Sequence, residues 1–363
     1  MDKTRIVEAL GQVMDPDTGR DLISMNRVKD LQVEGDTVQF TLLLPSMDSQ
    51  YKQQLNFACM EAVQQVYPAA QVHVHMQAQT QQARQQPSSI LPHVHNILAV
   101  ASGKGGVGKS TVATNLALGL HQLGARVGLL DADLYGPSIP TMLGLQGQRP
   151  TVQEVYGKPR LQPLEAHGLS VMSIGFIVEP EQAVVLRGPR LAGIIKQFFQ
   201  DCTWPELDYL VVDLPPGTGD IQLTLVQTVP VTGAIMVTTP QEVAVIDAVK
   251  AMNMFRLPSV DVPILGVVEN MSWFSPAELP DNKYFLFGEG GGRKLAKISE
   301  SMLLGQVPIV QGVREGGDRG KPIVLQEDNP AAQAFRRVAE NTLRQVAVRN
   351  EMLAPTQIVK VNM

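Results

Sequence analysis

Cysteine is nearly absent from this chain. Cys59 and Cys202 stand far apart in 363 residues and neither belongs to a CxxC pair. A disulfide framework therefore has no support, and both read as small buried apolar side chains. Long hydrophobic runs are missing as well. No stretch approaches the roughly 18 apolar residues that a membrane span needs. The opening MDKTRIVEALGQVM lacks the apolar core of a signal peptide, so a cytoplasmic protein is expected. Excess charge is slight, at −5, and neither nucleic acid nor a membrane surface is expected as a partner. What remains is the balance of an ordinary folded chain, 44% hydrophobic and 18% charged, with a length that favours a large domain beside a smaller one.

Composition changes sharply once. After Met76 the chain reads QAQTQQARQQPSSILPHVH, too polar to bury and punctuated by Pro87 and Pro92, so residues 79–96 are expected to be a linker. Residues 1–78 read as a small α+β domain. A helix is expected near 4–13, a turn at 15–19, a strand pair at 31–33 and 38–44 around Gly35-Asp36, a second helix at 53–66 and a strand at 71–76. Residues 97–363 read differently, as short apolar runs alternating with helical segments. Strands at 97–101, 127–130, 209–212, 234–237 and 264–268 are apolar enough to be buried on both faces. That pattern predicts an α/β fold, a mostly parallel sheet with helices on both faces. Ligands of such sheets bind beyond the carboxyl ends of the strands, which directs attention to the residues after each run.

The first strand end reads Gly103-Lys104-Gly105-Gly106-Val107-Gly108-Lys109-Ser110-Thr111, satisfying G-x-x-x-x-G-K-[ST] between a strand and a helix. Glycines let backbone N–H groups converge on phosphate oxygens, and the following helix presents its positive end. A P-loop NTPase that binds ATP is expected, with Lys109 on the β- and γ-phosphates and Ser110 on Mg²⁺. The second end, Asp131-Ala132-Asp133, points two carboxylates the same way. Metal support or catalysis is expected there, a turn cap being the alternative. The third run ends in Asp213, like a Walker B strand holding Mg²⁺ through water, and Pro215-Pro216-Gly217-Thr218-Gly219 after it suits a switch loop. At the fourth, Asn270 either offers a donor and an acceptor to an adenine edge or simply turns the chain. The pairs His73/His75 and His93/His95 lack acidic or cysteine neighbours in sequence and read as solvated positions.

The loop KGGVGKS resembles the deviant Walker A loop of the MinD, ParA and arsenical-pump ATPases. In that group the early lysine, here Lys104, crosses a dimer interface to the partner's phosphates. The second aspartate, here Asp133, orients the attacking water, and Asp131 supports the Mg²⁺ shell. The resemblance thus implies a nucleotide-dependent homodimer. Across residues 97–330, the segments DADLYGPSIP, Leu186-Arg187-Gly188-Pro189, DYLVVDLPPGTGD, TTPQEVA, GVVENMSWF and REGGDRGKPI are similar to the Mrp/ApbC family of iron-sulfur cluster carrier ATPases. DPDTGRDL and the strand pair after it resemble the small iron-sulfur-assembly domain often fused in front. The resemblance implies ATP hydrolysis coupled to delivering clusters to apoprotein clients or assembly factors.

One departure stands out. Family members commonly carry a CxxC after the ENMS segment, and a dimer would then bring four thiolates to a [4Fe-4S] cluster. Ser272 to Tyr284 hold no cysteine, nor do residues 44–49, where the small domain often places a reactive one. A cluster remains possible by resemblance, with unknown ligands, and stable thiolate ligation is not expected. Two other readings are a cluster-free ATPase scaffold for clients and a MinD/ParA-like positioning switch. The switch is disfavoured by the tail at 351–363, which has one lysine and a proline and is no basic amphipathic helix.

Overall fold

A computed structural model describes the chain except for residues 17–20, 24, 26, 45–50, 79–89, 134–135, 156, 178–187, 277, 280–281, 328 and 360–363, with no side chains described for 188–192 and 220. The region 45–49, most of the Gln-rich stretch, and Leu186-Arg187 therefore lie outside the described residues. Two compact units emerge: residues 1–86 with 343–354, and residues 87–342 with 355–363.

The first unit comprises α1 (Lys3–Leu10), β1 (Val28–Glu34), β2 (Thr37–Leu44), α2 (Lys52–Val66) and β3 (Gln71–Ala78). Asp2 caps α1 by accepting from the Thr4 N–H. β1 and β2 pair antiparallel across a turn where Gly35 has φ 58°, and β3 adds parallel to β2. Period-2 alternation sends Val38, Phe40, Leu42 and Leu44 inward. They meet Leu55, Cys59 and Val63, which share one face of α2 at four-residue spacing. His73 and His75 are exposed, and the carboxamide of Gln39 lies 3.0 Å from His75 Nε2.

The second unit contains β4 (Val94–Ser102), α3 (Lys109–Gln122), β5 (Val127–Asp131), α4 (Ile139–Met142), the hairpin β6 (Val152–Val155) and β7 (Lys158–Leu161), β8 (Leu164–Ala166) and β9 (Leu169–Ser173). It continues through α5 (Gly188–Gln200), β10 (Leu207–Asp213), α6 (Asp220–Thr228), β11 (Gly233–Thr238), α7 (Glu242–Phe255), β12 (Ile264–Glu269), α8 (Gly291–Ile298), β13 (Met302–Gln306), α9 (Gln311–Asp318) and α10 (Pro330–Met352). Eight strands form one sheet in the order β13-β12-β11-β4-β10-β5-β9-β8, parallel except for β8 against β9. β5 and β11 are buried along their whole length, as strands covered on both faces must be. The two strands next to β4 are β10 and β11, so the loops after these three lie side by side at the carboxyl edge.

Two boundaries differ from the sequence expectation of a linker at 79–96 and a second domain at 97–363. Residues 94–96 are already strand, because Val94 and Asn96 pair with Leu207 and Tyr209 of β10. His95 sits within that strand, Nδ1 3.5 Å from Asp208 Oδ1. The end of α10 belongs to the first unit, because Ala347 and Val348 pack on its core and Glu351 accepts from the Leu31 N–H. Among the described residues no helix is long and apolar enough to cross a membrane.

Candidate nucleotide site

The loop between β4 and α3 has the geometry that its glycines require. Gly106 and Gly108 both take φ 81°, which a side chain would strain, and Gly108 caps α3 in that left-handed conformation. Gly103 has no space at all: a Cβ would lie 2.0 Å from the Asp247 backbone on α7. Gly105 makes no such contact and Val107 is buried, anchoring the loop beneath. Lys104 is half-buried at the loop's start, with its carbonyl accepting from Ser102 Oγ at 3.1 Å. Ser110 and Thr111 begin α3 directly after Lys109.

Charged groups converge on Lys109. Its Nζ lies 2.6 Å from Asp213 Oδ1, 3.5 Å from Asp133 Oδ2 and 3.4 Å from Ser110 Oγ. Lys109, Asp131 and Asp213 are all buried. Asp131 is held separately, accepting from Ser173 Oγ at 2.9 Å and from the Asp133 N–H at 3.1 Å. Burial, then the charge of Asp213, pushes the Asp131 carboxyl up to about 8. Asp213 is raised too, chiefly by burial and against the pull of Lys109. More acid than base has been drawn inside, and Asp133 Oδ1 and Asp213 Oδ2 are buried without a hydrogen-bond partner.

The orphan oxygen of Asp213 fits a divalent cation, and that of Asp133 fits a hydrogen-bond donor such as water. Among the described residues no group of three or more His, Cys, Asp or Glu forms a protein-only metal site. Mg²⁺ at a nucleotide needs no such cage, since one or two carboxylates suffice when phosphates and water complete the octahedron. The Pro-Pro-Gly-Thr-Gly segment is tied to this centre. Gly217 N–H donates to the Ser102 carbonyl at 2.8 Å, and Gln222 on α6 donates to the carbonyls of Pro215 and Gly217.

Asn270 stands just past β12, and its Nδ2 donates to the Val107 carbonyl at 2.9 Å. One donor expected for a base is thus engaged by the phosphate loop, while Oδ1 remains as an acceptor. A cavity of about 1290 Å³ extends from Gly108 and Thr111 past Asn270 to Pro308 and Phe287. Ser173, Gln222 and Glu269 escaped the sequence reading. Only the position of Glu269 at a strand end, just before Asn270, could have drawn attention to it.

The thiols are elsewhere. Cys59 is enclosed in the first unit's core, and Cys202 is buried beside Leu161. Burial pushes each up to about 12, with Asp201 adding to the shift at Cys202. Neither is the accessible thiolate that cluster ligation demands.

A parallel sheet whose central strand ends in this loop, with buried aspartates at the ends of the next two strands, defines a P-loop NTPase. The sequence pattern of the NUBPL iron-transfer P-loop NTPase family matches residues 93–343, and that of the iron-sulfur cluster assembly protein family matches residues 3–75. The chain belongs to the NUBPL iron-transfer P-loop NTPase family. It is 46% identical to an iron-sulfur cluster carrier protein of Synechocystis over 94% of this chain and 97% of the relative. Among solved structures it is similar to a nucleotide-binding protein from Archaeoglobus fulgidus in complex with ADP. That similarity has 37% identity and a TM-score of 0.56, covering 66% of this chain and 91% of the other. The septum site-determining protein MinD from Pyrococcus horikoshii, complexed with Mg-ADP, shares the fold at 22% identity and a TM-score of 0.52, covering 71% of this chain and 100% of its own.

Proposed function

We propose that this chain binds and hydrolyses ATP as a homodimer and uses that cycle to carry iron-sulfur clusters to apoproteins or assembly factors. The observation that carries the reading is the cluster of Lys109, Asp133 and Asp213 at the end of the glycine loop, with two buried carboxylate oxygens unpartnered. Lys109 exchanges Asp213 for the β- and γ-phosphates when nucleotide enters, and Asp213 is then free for the metal shell. Ser110, Asp213 and Asp131 would hold Mg²⁺, which when bound would neutralise phosphate charge. Asp133 orients the attacking water. Lys104, at the entrance of the loop, stabilises transition-state charge on the partner's nucleotide, so that hydrolysis follows association.

Support for the cargo comes from the family and from the named relatives. With both thiols buried, the cluster is held through donors other than these cysteines in the folded chain, such as carboxylate, imidazole or a small-molecule thiol, and is correspondingly labile. The test is transfer of a cluster to an apoprotein acceptor by the full chain with and without ATP. Acceptor activation that ATP accelerates, and that Lys109→Ala abolishes, supports the reading. Transfer indifferent to both contradicts it.

A further inference from the structure

After Asp213 the chain leaves the sheet and crosses to α6. Leu214 N–H still donates to the Val100 carbonyl at 3.1 Å, so the crossing starts from a fixed point. Gly217 then passes over the end of β4, its N–H donating to the Ser102 carbonyl at 2.8 Å. Ser102 Oγ donates in turn to the Lys104 carbonyl at 3.1 Å. From the other side, Gln222 Nε2 donates to the carbonyls of Pro215 at 2.8 Å and Gly217 at 3.1 Å. Both backbone groups of Gly217 are therefore engaged, the N–H by the strand that leads into the phosphate loop and the carbonyl by α6. Its φ of 91° requires glycine, although open space surrounds the position a Cβ would take.

Gln222 makes these bonds in an unusual way. It is fully buried, and its Oε1 has no hydrogen-bond partner. Gly219 is the N-cap of α6, so Gln222 stands at the third helical position, where a glutamine ordinarily turns its oxygen back to the N-cap N–H. Here Oε1 lies 3.6 Å from where a Cβ on Gly219 would be, and that bond is not made. Only the amide's donor can satisfy a carbonyl, so two carbonyls are served and the acceptor is left over. Helix capping alone would use the oxygen, and packing alone would favour hydrocarbon, because an unpaired buried acceptor is costly.

We propose that Gln222 is a positioning residue for hydrolysis, tying residues 215–219 to Ser102 so that the loop after Asp213 and the loop that opens with Lys104 move as one body. The inference rests on the nucleotide reading above and adds to it the residue that joins its two loops. Gln222 acts through the Gly217 backbone and contacts no substrate atom.

Two variants of the 363-residue chain separate the donor from the space it fills. Gln222→Met keeps the length without polar atoms, and Gln222→Glu keeps the shape and the acceptors but, as a carboxylate, cannot donate. In both, kcat for ATP should fall about tenfold, the scale of two lost hydrogen bonds, while ADP affinity by calorimetry changes less than about twofold. Amide exchange over residues 214–219 of the nucleotide-free protein, read by mass spectrometry, should quicken about tenfold in both variants and stay as in wild type over β5. Unchanged kcat, or unchanged exchange in the loop, would overturn the positioning role. So would an ADP affinity that falls in step with kcat, or exchange that quickens in β5 as well, since either marks a residue that merely supports the fold. A wild type without ATPase activity would remove the hydrolysis reading itself, whereas an active wild type matched by both variants would remove only the role of Gln222.

Discussion

In the N-terminal unit Ile6, Leu10, Phe40, Leu42 and Cys59 close an apolar interior, and an Asp15–Arg27 pair is buried with its charges matched. At the carboxyl edge of the large sheet, Lys109, Asp131, Asp213 and Glu269 are drawn inside, with carboxylate oxygens left over. The first arrangement explains itself by burial of hydrocarbon. The second is costly for folding alone, because buried charge is stabilised only when fully paired. Surplus buried acid at converging strand ends is a structure prepared for a ligand, whereas a buried thiol among leucines is core.

The largest expected effects break the edge and leave the core alone. Lys104→Ala should retain ATP affinity and lose about a thousandfold in dimer-dependent hydrolysis, the scale of a charge supplied in trans. Asp133→Ala should keep ATP bound and the dimer trapped, with turnover down by about a hundredfold or more; turnover assays beside light scattering read both. Lys109→Ala should weaken ATP binding by about a hundredfold or more, measured by calorimetry. Equal loss of ATP affinity in the Lys104 and Lys109 variants would remove the trans role of Lys104.

The converse substitution sharpens the contrast. Phe40→Ala should cost the N-terminal unit about 3–5 kcal/mol in denaturant unfolding while leaving nucleotide affinity in place. A parallel fall in affinity would show that the two regions are not separable.

The smallest effect concerns the thiols. Burial raises Cys59 and Cys202 from 9.0 to about 12, so the folded chain keeps protons that the unfolded chain releases. Their contribution to stability is therefore intact below about pH 9 and is lost as pH rises toward about 12. Alkylation by iodoacetamide near neutral pH should be at least about tenfold slower in the native protein than in urea. Cys59→Ala and Cys202→Ala should both retain ATPase activity.

What could be read in advance follows the same division. β4, β5, β10, β11 and β12 were legible because strands buried on both faces are continuous apolar runs, and the loop at 103–111 because glycine and lysine spacing is dictated by phosphate geometry. The core role of Cys59 was legible in the helical spacing of Leu55, Cys59 and Val63. Contacts between distant residues were not. Ser173 reaches Asp131 across 42 positions, and Glu269 reaches Gly292 across 23, with no local pattern to announce either. The end of α10 was not legible because a helix continuous in sequence contributes Ala347 and Val348 to a core otherwise built from the first 76 residues.

The central claim is that the nucleotide machinery is complete in this chain while thiolate ligation of its cargo is not. Anaerobic reconstitution of this 363-residue chain with iron and sulfide, followed by desalting and counting of both, tests it most directly. Substoichiometric, easily chelated iron, unchanged in Cys59→Ala and Cys202→Ala, is the predicted result. About four irons and four sulfides per dimer, lost on substitution of either cysteine, would contradict it.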